Sequence, residues 1–143
     1  MSISAVILPV LVQVGLTFLL LLWLGRSRVG RLRSGEVRVK DIALGERNWP
    51  TRVLQIQNSY QNQFELPVLF YALVALALIT RKADMLFVVM SWMFVTSRLV
   101  HAAIHTTSNK VSWRFMAFVV GVLILAAMWV IFAIRIFAAG AGV

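Results

Sequence analysis

The sequence predicts an all-α integral membrane protein built as a bundle of four transmembrane helices, and three observations point to this class. Of the 143 residues, 61% are hydrophobic and only 13% are charged, whereas charged residues make up about a quarter of a soluble domain. The chain contains four apolar runs, each long enough to cross a hydrocarbon core of roughly 30 Å as a helix. Eight of the fourteen Lys and Arg residues lie in one segment, residues 26–52, between the first two runs.

The first predicted span covers residues 4–25. The chain carries no charged side chain from Met1 to Gly25, and the basic residues follow this run instead of preceding it. A secretory signal peptide has the opposite order, with a basic start and a shorter apolar centre. We therefore expect this segment to be a retained membrane helix.

The other three spans are predicted at residues 56–80, 84–105 and 113–139. Pro67 lies inside the second span and cannot donate a hydrogen bond to the carbonyl of Gln63, which predicts a kink. Asp84 has the residue type that favours the N-cap of the third helix. A short polar turn at residues 106–112 separates the last two spans. We expect residues 1–143 to form a single four-helix membrane domain.

The distribution of charge predicts the orientation and the partners of the chain. Basic residues concentrate on the cytoplasmic side of membrane proteins, which places the 26–52 loop in the cytoplasm and both termini on the opposite side. The net charge is +9. Because the basic residues flank a span, they indicate contact with anionic lipid and not with nucleic acid. The sequence carries no signal for a eukaryotic organelle, so we expect a bacterial inner membrane.

Polar residues in the last three spans recur at helical spacing. They are Gln55, Asn58, Asn62 and Glu65 in the second span, Arg98, His101 and His105 in the third, and Arg114 at the start of the fourth. Residues three, four and seven positions apart share one helix face. The predicted orientation brings all three groups to the cytoplasmic ends of their helices. The sequence therefore predicts one shared polar pocket, in which Glu65 and Arg98 pair with each other or with a ligand.

Two other interpretations of this polar stripe stay open on the residues alone. Asn, Gln, Glu, Arg and His side chains also join membrane helices by hydrogen bonds without any ligand. His101 and His105 lie four residues apart and, with Glu65, would also suit a metal ion. The sequence has no cysteine, so any thiol chemistry requires a thiol supplied by a substrate.

The motifs of the stripe resemble the MAPEG family, the membrane-associated proteins in eicosanoid and glutathione metabolism. "NQFELP" supplies Asn62, Glu65 and Pro67, and "RLVHAAIH" supplies Arg98, His101 and, where relatives carry Tyr, His105. Arg114 follows at the position of a further family arginine. The resemblance covers roughly residues 5–135, and the spacing is similar to that of the prostaglandin E synthase branch.

The resemblance implies a homotrimer that binds glutathione as co-substrate between subunits and acts on a lipophilic small molecule. The residues implied to bind glutathione are Asn62, Glu65, Arg98, His101, His105 and Arg31. Arg114 is the implied catalytic residue beside the sulfur, where a guanidinium favours the thiolate. The function expected is that of a glutathione-dependent transferase or peroxidase.

The alternative function is that of a non-catalytic membrane binding or scaffold protein with the same fold. Three positions favour it: Asn58 and Gln61 stand where many relatives carry Arg, and Phe115 stands where the synthase branch often carries Ser. Each of these changes removes a cationic or hydroxyl donor from the expected site.

Overall fold

The computed structural model describes residues 1–140, and within that range every regular element is an α-helix. In chain order the helices are α1 (Ile3–Arg33), α2 (Val39–Ile42), α3 (Thr51–Asn62), α4 (Leu66–Ile79), α5 (Met85–Thr106) and α6 (Val111–Ala138). Four segments are long and apolar enough to cross a membrane: α1, the α3–α4 pair, α5 and α6. The predicted all-α class with four spanning helices is confirmed.

Helix α1 continues eight residues beyond the predicted end of the first span at Gly25. Ser2 caps its start, where the hydroxyl accepts a hydrogen bond from the backbone N–H of Ala5 at 3.2 Å. The helix ends at Arg33, and Gly35 follows with a φ of +77°, a conformation that glycine adopts without strain. Arg26 and Arg28 therefore belong to α1. The first eight residues of the predicted 26–52 loop, residues 26–33, are thus helical.

The second span is two helices with a break between them, where the sequence predicted one kinked helix. The break comprises Gln63, Phe64 and Glu65, whose N–H groups bond to the carbonyls three residues earlier at 3.0–3.3 Å. Pro67 lies in the first turn of α4, where its missing N–H does no harm. The proline thus ends one helix and starts the next instead of bending a continuous one.

Helix α5 is the central helix of the bundle. Half of the residues in its most apolar stretch are buried, against 22% in α1 and 17% in α6. The outer surfaces of α1 and α6 carry exposed apolar side chains. Asp84 accepts a hydrogen bond from the N–H of Phe87 at 3.0 Å, so the predicted N-cap is present. Asp84 also forms an ion pair with Arg135 of α6 at 2.7 Å, which joins the start of α5 to the end of α6.

Helices α5 and α6 approach each other closely at Gly121. A Cβ atom at that position would lie 2.9 Å from the Oγ of Ser97 and 3.9 Å from the side chains of Phe94 and Arg98. The first distance is shorter than a van der Waals contact, so a larger residue would displace the Ser97 side chain or the helices themselves. This approach helps to enclose the side chain of Arg98.

Candidate functional site

The buried side chain of Arg98 links α5 to α3. Its exposed fraction is 0%, and its Nη2 donates a hydrogen bond to the Oδ1 of Asn62 at 2.9 Å. Asn62 is the last residue of α3 and is half-buried. The structure therefore brings together two residues that the sequence placed on facing stripes.

The rest of the Arg98 guanidinium has no protein partner. Its Nε and Nη1 atoms are both buried without a hydrogen bond. The ion pairs found within residues 1–140 are Arg31–Glu36 and Arg135–Asp84, so Arg98 and Glu65 do not pair directly. Glu65 lies exposed in the break between α3 and α4. The first of the two partners expected for Arg98, the carboxylate of Glu65, is thus not bonded to it in this protomer.

Two histidines continue the polar face of α5. His101 and His105 are buried, with exposed fractions of 2% and 6%, and their ring centroids lie 5.5 Å apart in an edge-to-face arrangement. The Nδ1 atom of each is buried without a protein partner. His101 also packs against Phe118 of α6, at 6.0 Å between ring centroids. Each ring thus has one buried nitrogen whose hydrogen-bonding capacity the protomer does not use.

Arg114 begins the fourth span beside these histidines without bonding to them. Its Nη1 donates a hydrogen bond to the Oδ1 of Asn109 at 2.5 Å, in the turn between α5 and α6. Arg114 is half-buried, and its guanidinium is held at the turn between α5 and α6.

Arg31, the remaining expected glutathione contact, lies elsewhere. Its Nη1 forms an ion pair with Glu36 at 2.6 Å, and it lines a groove between α1 and α3 that contains none of the residues of the Arg98 cluster. The structure therefore brings Asn62, Arg98, His101 and His105 into one cluster, with Arg114 and Glu65 at its margins and Arg31 outside it.

A buried glutamine pair was missed in the sequence. Gln13 of α1 donates from Nε2 to the Oε1 of Gln63 at 2.8 Å, and the Nε2 of Gln63 donates to the carbonyl of Ser59 at 2.8 Å. Both glutamines are essentially unexposed. Gln63 is the residue next to Asn62, so this pair fixes the break and, with it, the partner of Arg98. Gln13 could have indicated this pair, because it is a lone amide side chain in the middle of an uncharged apolar run.

No set of three or more His, Cys, Asp or Glu side chains within residues 1–140 could hold a metal ion. His101 and His105 therefore lack the third ligand that the metal interpretation required from Glu65.

Four segments long and apolar enough to cross a membrane, with a polar cluster buried between them, define an integral membrane protein. The model of the MAPEG family matches residues 6–134. This match covers most of the chain, and the protein therefore belongs to the MAPEG family, which includes glutathione transferases and peroxidases. No curated protein and no solved structure gives a significant match.

Proposed function

We propose that the protein is a membrane-embedded glutathione-dependent transferase or peroxidase that acts on lipophilic electrophiles. The proposal rests above all on the side chain of Arg98, a fully buried guanidinium with two unpartnered nitrogens. A buried cation without a counter-ion is costly, and intramembrane charges are mostly found at functional sites. Its charge calls for an anionic partner from outside the protomer.

Glutathione fits this requirement because it carries two carboxylates and an ammonium group. A carboxylate would accept hydrogen bonds from Arg98, whose orientation is fixed by Asn62. The unused nitrogens of His101 and His105 offer further polar contacts on the same face. Glu65 supplies an exposed carboxylate for the ammonium group.

Glutathione would supply the thiol, which this cysteine-free chain does not contain. Arg114 would hold the thiolate, since a guanidinium beside a sulfur favours its ionised form. The hydrogen bond from Arg114 to Asn109 restrains the guanidinium at the turn between α5 and α6 before any ligand binds. In this proposal Arg114 is the catalytic residue, and Arg98 is a binding residue.

The exposure of Glu65 and Arg114 supports a site shared between subunits. Glu65 is exposed and Arg114 half-exposed in the protomer, so a homotrimer would enclose them at the cytoplasmic face, with both termini on the other side of a bacterial inner membrane. An apolar groove of about 630 Å³ opens between α5 and α6 and includes Ser97, the neighbour of Arg98. A lipophilic electrophile would reach the thiolate from the bilayer along such a surface.

Calorimetric titration of the detergent-purified protein with glutathione tests the proposal. We expect the wild type to bind, Arg98→Ala to lose binding, and Arg33→Ala, a matched change at an exposed arginine, to bind like the wild type. Arg114→Ala should still bind but lose the ultraviolet absorbance of the thiolate and the turnover of an electrophile. A wild type that gives neither heat nor a thermal shift would contradict the proposal and favour the non-catalytic scaffold.

A further inference from the structure

A polar cavity lies between the last turns of α1 and the start of α3. It has a volume of about 510 Å³. Its lining residues are Trp23, Arg26, Ser27, Gly30, Arg31, Ser34, Glu36, Arg52 and Val53. Here it is called the α1–α3 groove.

The walls of the α1–α3 groove carry a net positive charge. Arg26, Arg31 and Arg52 line it, and Glu36 is the one acidic lining residue. Arg31 is already paired with Glu36 at 2.6 Å. Arg52 is held in place because it donates to the carbonyl of Thr106 and stacks on the ring of Trp23, at 5.0 Å from its centroid. Two cationic side chains, Arg26 and Arg52, are thus left without a carboxylate partner.

The floor of the groove is made of small residues from one face of α1. Ser27, Gly30 and Ser34 are spaced three and four apart, so they lie one above the other along the helix. A Cβ atom built at Gly30 would meet nothing within 4 Å. The cationic side chains therefore border an open groove of about 510 Å³, which has room for a group the size of a phosphodiester.

The same face of α1 continues as an apolar surface toward the membrane. Leu19 and Leu22 lie four residues before Trp23 and Arg26 and are exposed, at 62% and 72%. A tryptophan between a cationic site and exposed leucines is typical of the membrane–water interface. A molecule in the groove would thus have a charged end among arginines and apolar chains along the leucines.

We propose that the α1–α3 groove binds the headgroup phosphate of an anionic phospholipid, with the acyl chains along Leu19 and Leu22. Arg26 and Arg52 would make the charge-assisted contacts. This site is separate from the Arg98 cluster, and the proposal does not depend on glutathione chemistry.

Two steric variants test the site without changing the charge of the protein. Gly30→Leu fills the floor of the groove, whereas Gly25→Leu adds the same side chain at an equally open helical glycine outside it. Both replace glycine by a better helix former, so neither is expected to unfold α1. Each protein is purified in detergent with equal amounts of phosphatidylglycerol and phosphatidylcholine, and retained lipid is counted by native mass spectrometry.

We expect the wild type to retain phosphatidylglycerol in preference to phosphatidylcholine. Gly30→Leu should lower this retention about tenfold, or about 1.4 kcal/mol, because its side chain occupies the space of the headgroup, while Gly25→Leu stays close to the wild type. Arg26→Gln should weaken retention more than Lys40→Gln, which removes an equal charge outside the groove. Glutathione binding by Gly30→Leu should be unchanged.

Three outcomes would overturn the proposal. Equal retention by Gly30→Leu and Gly25→Leu would mean that the groove does not hold the lipid. Equal losses in Arg26→Gln and Lys40→Gln would reduce the effect to the overall charge of the segment. A thermal stabilisation of the wild type by inorganic phosphate as large as that by phosphatidylglycerol would assign the groove to soluble anions.

Discussion

Replacing Arg98 by methionine is expected to stabilise the ligand-free protein while abolishing glutathione binding. If Arg98 is kept for a ligand, the protomer carries the cost of its burial whenever the ligand is absent. Methionine has a similar length, no charge and enough flexibility to fill the space between α3, α5 and α6. Function and stability should therefore change in opposite directions.

The magnitude follows from the contacts of the guanidinium. Two buried nitrogens of Arg98 have no partner, and each such group costs about 1–3 kcal/mol. Against this stands one hydrogen bond to Asn62 at 2.9 Å, of about 1.5–3 kcal/mol because the donor is charged. Asn62 is only half-buried, so its amide can find another partner. The net expectation is a gain of about 1–3 kcal/mol in the free energy of unfolding.

Thermal unfolding in detergent, followed by circular dichroism with and without glutathione, measures both effects. Without glutathione the Tm of Arg98→Met should exceed that of the wild type by several degrees. Glutathione at about 100 times its Kd should stabilise the wild type by about 2.7 kcal/mol and leave Arg98→Met unchanged. Arg98→Lys is the control: it keeps the charge without the planar donors, so it should gain neither stability nor binding.

A lower Tm for Arg98→Met than for the wild type, without glutathione, would refute this reasoning. Arg98 would then be a structural tie between helices, as the ligand-free interpretation of the polar stripe holds. That result would also remove the main support for the proposed function.

Three further predictions concern the packing around the site. Gly121→Val adds a branched side chain where a Cβ alone would stand 2.9 Å from the Oγ of Ser97 in α5. The free energy of unfolding should therefore fall by about 1–3 kcal/mol. A Tm equal to that of the wild type would contradict this close approach. Gln63→Leu leaves the buried Nε2 of Gln13 without its acceptor and should cost about 1–3 kcal/mol. The double variant with Gln13→Leu should recover much of this loss, because it also removes the Oε1 of Gln13, which is buried without a partner; additive losses in thermal unfolding would count against a coupled pair. The pKa of Asp84 lies below its ordinary value of 3.8, chiefly because Arg135 donates a hydrogen bond to the carboxylate. Asp84→Asn should therefore lower stability at pH 7 by up to about 1 kcal/mol. This difference from the wild type should close as the pH falls from about 5 to about 2, because protonation of the carboxylate removes the same interaction; a difference independent of pH would show that the ion pair contributes nothing.

The spans were predictable from the sequence because each depends on local composition. An apolar run of about twenty residues must be helical in lipid, since every backbone group has to find its partner within the segment. Asp84 could be assigned as a cap because capping involves only its own first turn. The stripe of Arg98, His101 and His105 was visible because a helix repeats every 3.6 residues.

The break between α3 and α4 could not be placed from the sequence. Pro67 predicts a disturbance, but its form depends on the bond between Gln13 and Gln63, two residues fifty positions apart. Arg31 could not be placed either: it pairs with Glu36, five residues away, and lines a groove beside the start of α3 instead of joining the Arg98 cluster. The position of α3 against α1 is set by packing and not by a local pattern.

By itself the sequence determined that this protein crosses a membrane four times and which polar residues share a helix face. Local rules suffice for both, because lipid forces the backbone into helices and the helix fixes the spacing of side chains. Only the tertiary structure decided that Arg98 bonds to Asn62 and not to Glu65, and that two of its nitrogens stay without a partner. The partner of a buried charge depends on how α3 and α5 approach each other, and that approach is the outcome of packing over the whole bundle.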